Sequence, residues 1–564
     1  MEKIIIYQVF TRLFGNSKPT SVYNGSLQEN GCGKMAGFTN QALQEIKKLG
    51  TTHIWYTGVI AHATQTDYTA YGIPRNHPSI VKGKAGSPYA IRDYYDVDPD
   101  LAVNVNQRMK EFETLIERTH ANRLKVIIDF VPNHVSRQYQ SLAKPRRVKD
   151  LGETDNPNIA FSPDNNFYYI PGQKLEGEID LHNESMGDYY ESPAKATGNN
   201  RFDAYPNRND WYETVKLNYG TDYIHNTGNH FSPIPDTWHK MKDILLFWAG
   251  KGIDGFRCDM AEMVPCEFWG WAIPEVKAKY PNLIFIAEVY NPNEYRNYLF
   301  NGKFDYLYDK VGLYDTLRGV ICGYNSATAI TSCWQSVNDI QDHMLNFLEN
   351  HDEQRIASDF FAGNPFKALP ALIVSACMNT NPMMIYFGQE LGEPGMDEEG
   401  FSGRDGRTTI FDYWSVNSLY RWSNNGRYNT HLLSPKEKEL RKFYSRLLNL
   451  CNQEAALREG AFFDLMYVNQ GGWQMNEHRQ YAFLRKQENE VLLIAVNFDE
   501  TPAQVSINLP AHAFEYLNMP EYESTTATNL LDSQKETISF TANKPVAITL
   551  PAYGGKILKI KIGK

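Results

Sequence analysis

Three carboxylates close three separate hydrophobic runs. Asp259 ends GIDGFRCD (Gly252 to Asp259), Glu288 stands near the end of LIFIAEV (Leu283 to Val289), and Asp352 ends LNFLENHD (Leu345 to Asp352). A fourth run, IIDFVPNH (Ile127 to His134), turns polar in the same way, with Asp129 inside it and His134 at its end. Two carboxyls brought together, one ionised and one holding its proton, can perform double displacement at a glycosidic carbon when they stand about 5 Å apart. Holding a proton near neutral pH requires burial or a neighbouring negative charge. Arg257 precedes Asp259 by two residues, which puts both side chains on one face of a strand. A guanidinium so placed keeps the carboxylate charged and oriented. Cys258, between them, points the other way and reads as a core thiol. Imidazoles at His134 and His351 are placed to hydrogen-bond hydroxyls. Taken singly, each acid is equally well explained as a cap on the following helix. Four such strings, each closing a strand, are not.

Strand ends meet at one face when the strands form a parallel barrel, and barrel enzymes place their chemistry on that face. The first 450 residues or so support this reading, because short runs rich in Ile, Val, Phe and Tyr alternate with helical spacing. The strands are expected near Ile4–Phe10, Thr52–Thr57, Leu124–Phe130, Ile253–Cys258, Leu283–Ala287, Phe304–Leu307, Leu345–Leu348 and Met383–Phe387. Helices are expected over Asn40–Leu49, Asn106–Ala121, Thr237–Ala249, Ser326–Gln341 and Lys367–Met378. The fold class is therefore α/β, a (β/α)8 TIM barrel. About a hundred residues rich in Asn, Asp, Gly, Pro and Tyr follow the third strand, too many for a structureless loop. They read as an inserted subdomain projecting from the catalytic face. After the helix around Glu437–Leu450 the pattern becomes strand alternation, as in an antiparallel β-sandwich. The expected segments are barrel 1–134, insert 135–235, barrel 236–454 and C-terminal sandwich 455–564.

Composition narrows the function class. Hydrophobic residues make up 42%, as in a globular chain, and no apolar run approaches the length of a membrane span. A formal net charge of -10 argues against a nucleic-acid binder, which needs a basic surface. Aromatic residues reach 13%, compatible with stacking on sugar rings but equally with a large core. Seven scattered cysteines without a CxxC pair argue against a disulfide framework or zinc site. The start, MEKIIIYQVF, enters strand-like sequence at once without the layout of a signal peptide, so a cytoplasmic location is expected. Oligomeric state is not legible.

DFVPNH, GFRCD, IAEV and ENHD together resemble the four diagnostic regions of the α-amylase superfamily, glycoside hydrolase family 13. The likeness extends to YQVFTRLF (Tyr7 to Phe14), HIWYTGV (His53 to Val59), SPYAIRDYYDVDP (Ser87 to Pro99), MMIYFGQELG (Met383 to Gly392) and RTTIFDYW (Arg407 to Trp414). QYAFLRKQENEVLLIAVNF and LPAYGGKILKI are similar to its C-terminal β-domain. The resemblance implies that Asp259 is the nucleophile, Glu288 the general acid/base and Asp352 the third carboxylate, gripping ring hydroxyls. It implies that Tyr89 stacks on the sugar, and that Arg257, His134 and His351 contact the nucleophile or the sugar, with Asp129 supporting Arg257. The implied activity is a retaining α-glycoside hydrolase cleaving α-1,4-glucosidic bonds in maltooligosaccharides or starch fragments. No cofactor is required, and a structural calcium bound through Asn133 is left open.

Three departures qualify this expectation. Glu262 and Met263 replace a Lys-His pair common after the nucleophile, so the acceptor side of the cleft must differ. VKLNYG (Val215 to Gly220) is closer to maltosyl-transferring relatives, and Gly58 stands where proline is common. An α-glucanotransferase is thus the alternative, and a catalytically inactive carbohydrate-binding relative a weaker one.

Overall fold

The computed structural model describes residues 2–19, 21–395 and 400–562, so residues 1, 563 and 564 of the outer expected segments lie outside it. Eight parallel strands close into a barrel. They are β1 (Ile5–Phe10), β2 (His53–Thr57), β3 (Lys125–Phe130) and β4 (Gly255–Cys258), then β5 (Ile284–Ala287), β6 (Tyr306–Tyr308), β7 (Met344–Phe347) and β8 (Met383–Tyr386). Each lies within about two residues of its expected place. Their near-continuous apolar runs follow from burial on both faces, between side chains filling the barrel and helices outside.

The surrounding helices are α1 (Asn40–Lys48), α2 (Arg108–Ala121), α3 (Asp236–Ala249), α4 (Cys266–Lys279), α5 (Asp315–Ile321), α6 (Ala329–Ser336), α7 (Leu369–Cys377) and α8 (Pro435–Gln453). Local chemistry sets their ends. Thr39 caps α1 by accepting from Ala42 N at 3.2 Å, and Ser434 with Glu437 forms a capping box that opens α8 with Pro435 in its first turn. Helices α4 and α5 are additional to those read from spacing. Pro274 inside α4 reads as a breaker, but burial of Phe268, Trp269, Ala272, Ile273 and Val276 holds the helix together. The spacing over Ser326–Gln341 yields only α6, because only Ile330 of that helix is fully buried and the chain turns at Val337.

Helix α7 is buried along its whole length, packed between β7 and the C-terminal sheet. Two buried cations finish it: Lys3 Nζ donates to Ala376 O and Arg485 to Cys377 O, both at 2.7 Å. The C-terminal part holds β9 (Ala461–Asp464), β10 (Gln480–Gln487), β11 (Glu490–Asn497), β12 (Ala503–Ile507), β13 (Tyr522–Asn529), β14 (Lys535–Phe540), β15 (Val546–Leu550) and β16 (Gly554–Lys561). They form a six-stranded antiparallel sheet, β9-β10-β11-β16-β13-β14, and a two-stranded one, β12-β15.

Between β3 and α3 the chain makes only short ribbons around a small cluster of its own, including Tyr168, Ile170, Leu175, Ala194 and Ala204. One of these ribbons returns to the end of β3. Thr214–Lys216 pairs antiparallel with His134–Ser136, setting Lys216 opposite His134.

Candidate active site

Strand register assembles the acids. Arg257 pairs with Asp129 across β4 and β3, and Cys258 pairs with Ala287 across β4 and β5. One step further, Asp259 N donates to Phe130 O and Glu288 N to Cys258 O, so both acids occupy the last rung.

Arg257 lies fully buried beneath them. Its NH1 donates to Asp259 Oδ1 at 2.7 Å, its NH2 lies 2.8 Å from Glu288 Oε2, and its Nε donates to the Tyr308 hydroxyl at 3.0 Å. Asp129 Oδ1 stands 3.5 Å from NH1. Trp55, Tyr89 and Tyr308 turn their rings to the guanidinium with centroids 5.2, 5.5 and 5.3 Å away. Of its contacts with the acids, only that with Asp259 has hydrogen-bond geometry; NH2 makes no hydrogen bond of its own. Burial pushes the Asp259 carboxyl well up, Arg257 opposes it, and the charge of Glu288 adds to the rise.

Glu288 accepts from Met260 N at 2.7 Å and from the Tyr290 hydroxyl at 2.6 Å. Met260 reaches it by adopting a left-handed conformation, φ 42°, unusual for a residue with a long side chain. Asp352 Oδ2 sits 3.1 Å from His351 Nε2. Although burial pushes that carboxyl up, His351, Arg257 and Arg407 hold it at about 2. His351 Nε2 also meets the Tyr89 hydroxyl at 2.6 Å, and Tyr89 stacks on the imidazole at 5.2 Å. Gln8 Nε2 donates to His351 Nδ1 at 2.9 Å, which leaves the ring proton on Nε2, facing Asp352. His134 lies beside Trp211 with centroids 5.3 Å apart, and burial with the nearby Lys216 pushes it down to about 3, so it stays neutral.

Tyr89, His134, Asp259, Glu288 and Asp352 line one cavity of about 370 Å³ with Met260, Tyr290 and Trp211. Arg257 and His351 support its floor from below. Sequence reasoning did not identify Gln8, Trp55, Trp211, Met260, Tyr290 or Tyr308. Tyr290 follows Glu288 by two residues and was open to the same-face argument; Met260 follows Asp259 directly and enters through its left-handed backbone, and the others reach the site through long-range packing. Gly58 is explained: its φ of 83° excludes proline, and its N–H faces Asp129 Oδ2 at 3.4 Å. Glu262 spends its carboxylate on Asn291 N at 3.0 Å.

The calcium left open at Asn133 does not fit this chain. Asn133 Oδ1 accepts a hydrogen bond from the Lys216 ammonium, which also lies 3.4 Å from Met263 O. A cation already occupies the oxygen that calcium would need, and no group of three or more His, Cys, Asp or Glu capable of holding a metal occurs among the described residues. Dialysis against EDTA is therefore expected to leave the thermal midpoint and turnover unchanged. A midpoint that falls with EDTA and recovers with calcium would place a metal site elsewhere.

The family model of the α-amylase catalytic domain matches residues 8–460, and that of the α-amylase C-terminal all-beta domain residues 473–561. Alpha-amylase 2 of Dictyoglomus thermophilum is 21% identical over 517 residues, 90% of this chain and 71% of its own. A cyclomaltodextrin glucanotransferase of Bacillus sp. is 25% identical over 276 residues, 47% of this chain and 31% of its own. A solved maltogenic α-amylase of Thermotoga neapolitana superposes with a TM-score of 0.63 at 17% identity, covering 100% of this chain and 99% of that one, a likeness of fold.

Proposed function

We propose, from the premise that the chain belongs to the α-amylase family, that it is a retaining α-glycoside hydrolase acting on α-1,4-linked maltooligosaccharides or starch fragments. One observation carries this reading: a single buried guanidinium touches the carboxyls of Asp259 and Glu288 and donates in line only to the first. That contact favours negative charge on Asp259, while Glu288 lies beside a Tyr290 hydroxyl able to donate or accept as the proton moves.

In the first step Asp259 Oδ attacks the anomeric carbon as Glu288 protonates the departing glycosidic oxygen. The product is a covalent glycosyl-enzyme. In the second, Glu288 takes a proton from water, the hydroxide oxygen displaces Asp259, and configuration is retained. Asp352, oriented by the Nε2–H of His351, holds ring hydroxyls, and Tyr89 offers an aromatic face. Arg257 is a positioning residue, meeting the acids and not the sugar.

Replacement of the Lys-His pair, together with Glu262 being tied to Asn291, supports the second reading, transfer of the glycosyl unit to another sugar. Separation of the products from labelled maltoheptaose tests both. Shorter products alone are expected; products longer than the substrate would overturn simple hydrolysis in favour of a glucanotransferase.

A further inference from the structure

The walls of the catalytic pocket are unequal. In the closed ring β1 stands across from β5, flanked by β8 and β2. Glu288 rises from the end of β5 and protonates the departing oxygen, so the leaving sugar lies on the β5 side and the retained sugar on the β8–β1–β2 side.

That second side is sealed. The chain following β2 meets the chain following β8 backbone to backbone. Ala85 N and Gly86 N donate to Phe411 O at 3.0 and 3.2 Å, and a Cβ on Gly83 would lie 2.2 Å from the same oxygen. On the other flank, Lys82 reaches the inserted segment. Its ammonium lies 3.0 Å from Glu213 Oε2 and donates to Asp210 O at 3.0 Å. Lys82 and Glu213 are 7% and 5% exposed, and both line the catalytic pocket.

Both neighbours of Lys82 and the residue before Glu213 face the other way. Val81, Gly83 and Tyr212 line a second cavity of about 520 Å³, shared with Tyr23, Arg208 and Phe401. The Lys82 ammonium sits 5.1 Å from the Tyr212 ring and 5.9 Å from the Phe401 ring. Phe401 in turn packs on Phe411 at 5.1 Å. One layer of side chains, with the Lys82–Glu213 pair at its centre, thus divides what would otherwise be a groove.

We propose that this layer ends the pocket on the retained-sugar side, so that the enzyme takes the non-reducing ends of α-glucan chains and not their interiors. The proposal rests on the glycosidase reading above. A chain threading through the site needs an opening at both ends of the cleavage point, and here the exit is occupied by a buried ion pair held to backbone.

The test compares maltoheptaose with a maltoheptaoside whose terminal non-reducing hydroxyls carry an ethylidene block. Wild-type enzyme is expected to cleave the blocked substrate at least about 100-fold more slowly, a discrimination that steric exclusion from a pocket supplies. The double variant Lys82→Ala/Glu213→Ala, which joins the two cavities, is expected to narrow that ratio about tenfold or more. Equal wild-type rates on the two substrates would overturn the blind end, whatever the variant does. Wild-type cleavage of neither would overturn the glycosidase reading and the proposal with it. An unchanged ratio in a folded double variant would overturn the role of the ion pair.

Discussion

Asp259→Ala is expected to lower kcat on maltooligosaccharides by about 10⁵-fold, as loss of a covalent nucleophile does elsewhere. The reason is geometric as much as chemical. Asp259 sits on the last rung of the barrel, and its oxygen is fixed by Arg257 NH1 at 2.7 Å, so no neighbouring carboxylate can take its place. Glu288 is held by Met260 N and Tyr290, and Asp352 by His351. Removing the carboxyl leaves room in front of the anomeric carbon and a guanidinium without its hydrogen-bonded anion. Azide, small and anionic, fits both. It is expected to restore part of the turnover and to yield a glycosyl azide of inverted configuration, because one displacement then replaces two. Proton NMR of the anomeric position distinguishes the products. Turnover of the variant near the wild-type level without azide would remove the assignment.

The strands of the barrel were legible because burial on both faces leaves an uninterrupted apolar signal, and their polar last residues mark where the signal stops. Arg257 and Asp259 were legible together because a two-residue spacing on a strand leaves one geometric outcome. What surrounds them was not. Gln8 and Tyr308 come from strands β1 and β6, and their approach to His351 and Arg257 follows from ring closure, which no local pattern encodes. Met260 matters through a left-handed backbone, which its identity argues against. Lys216 was read only as part of VKLNYG. Its meeting with Asn133 depends on the ribbon that returns the inserted segment to His134, a pairing between residues some eighty positions apart. The helix α6 was overestimated for the opposite reason: helical spacing extends beyond the stretch that the core covers.

Glu288→Gln is expected to reduce kcat about 10²- to 10⁴-fold on maltooligosaccharides, the usual contribution of a general acid. The loss should be small for a glycosyl fluoride in the glycosylation step, since fluoride departs without a proton. The substitution keeps shape and contacts, since the amide oxygen can accept from Met260 N and the amide nitrogen can donate to the Tyr290 hydroxyl. With the fluoride, which reacts even when Glu288 is ionised, it also removes a negative charge from beside Asp259. That charge helps push the Asp259 carboxyl up, so its loss favours the ionised form and lowers the pH at which the nucleophile becomes charged. The acid limb of kcat/KM for the fluoride is therefore expected to move to lower pH in the variant. Rates on substrates of graded leaving-group acidity check the first expectation, and a pH profile checks the second. An equal loss across all leaving groups would mean that Glu288 does not deliver the proton. An acid limb that stays where it is in the wild type would mean that the charge of Glu288 does not act on Asp259.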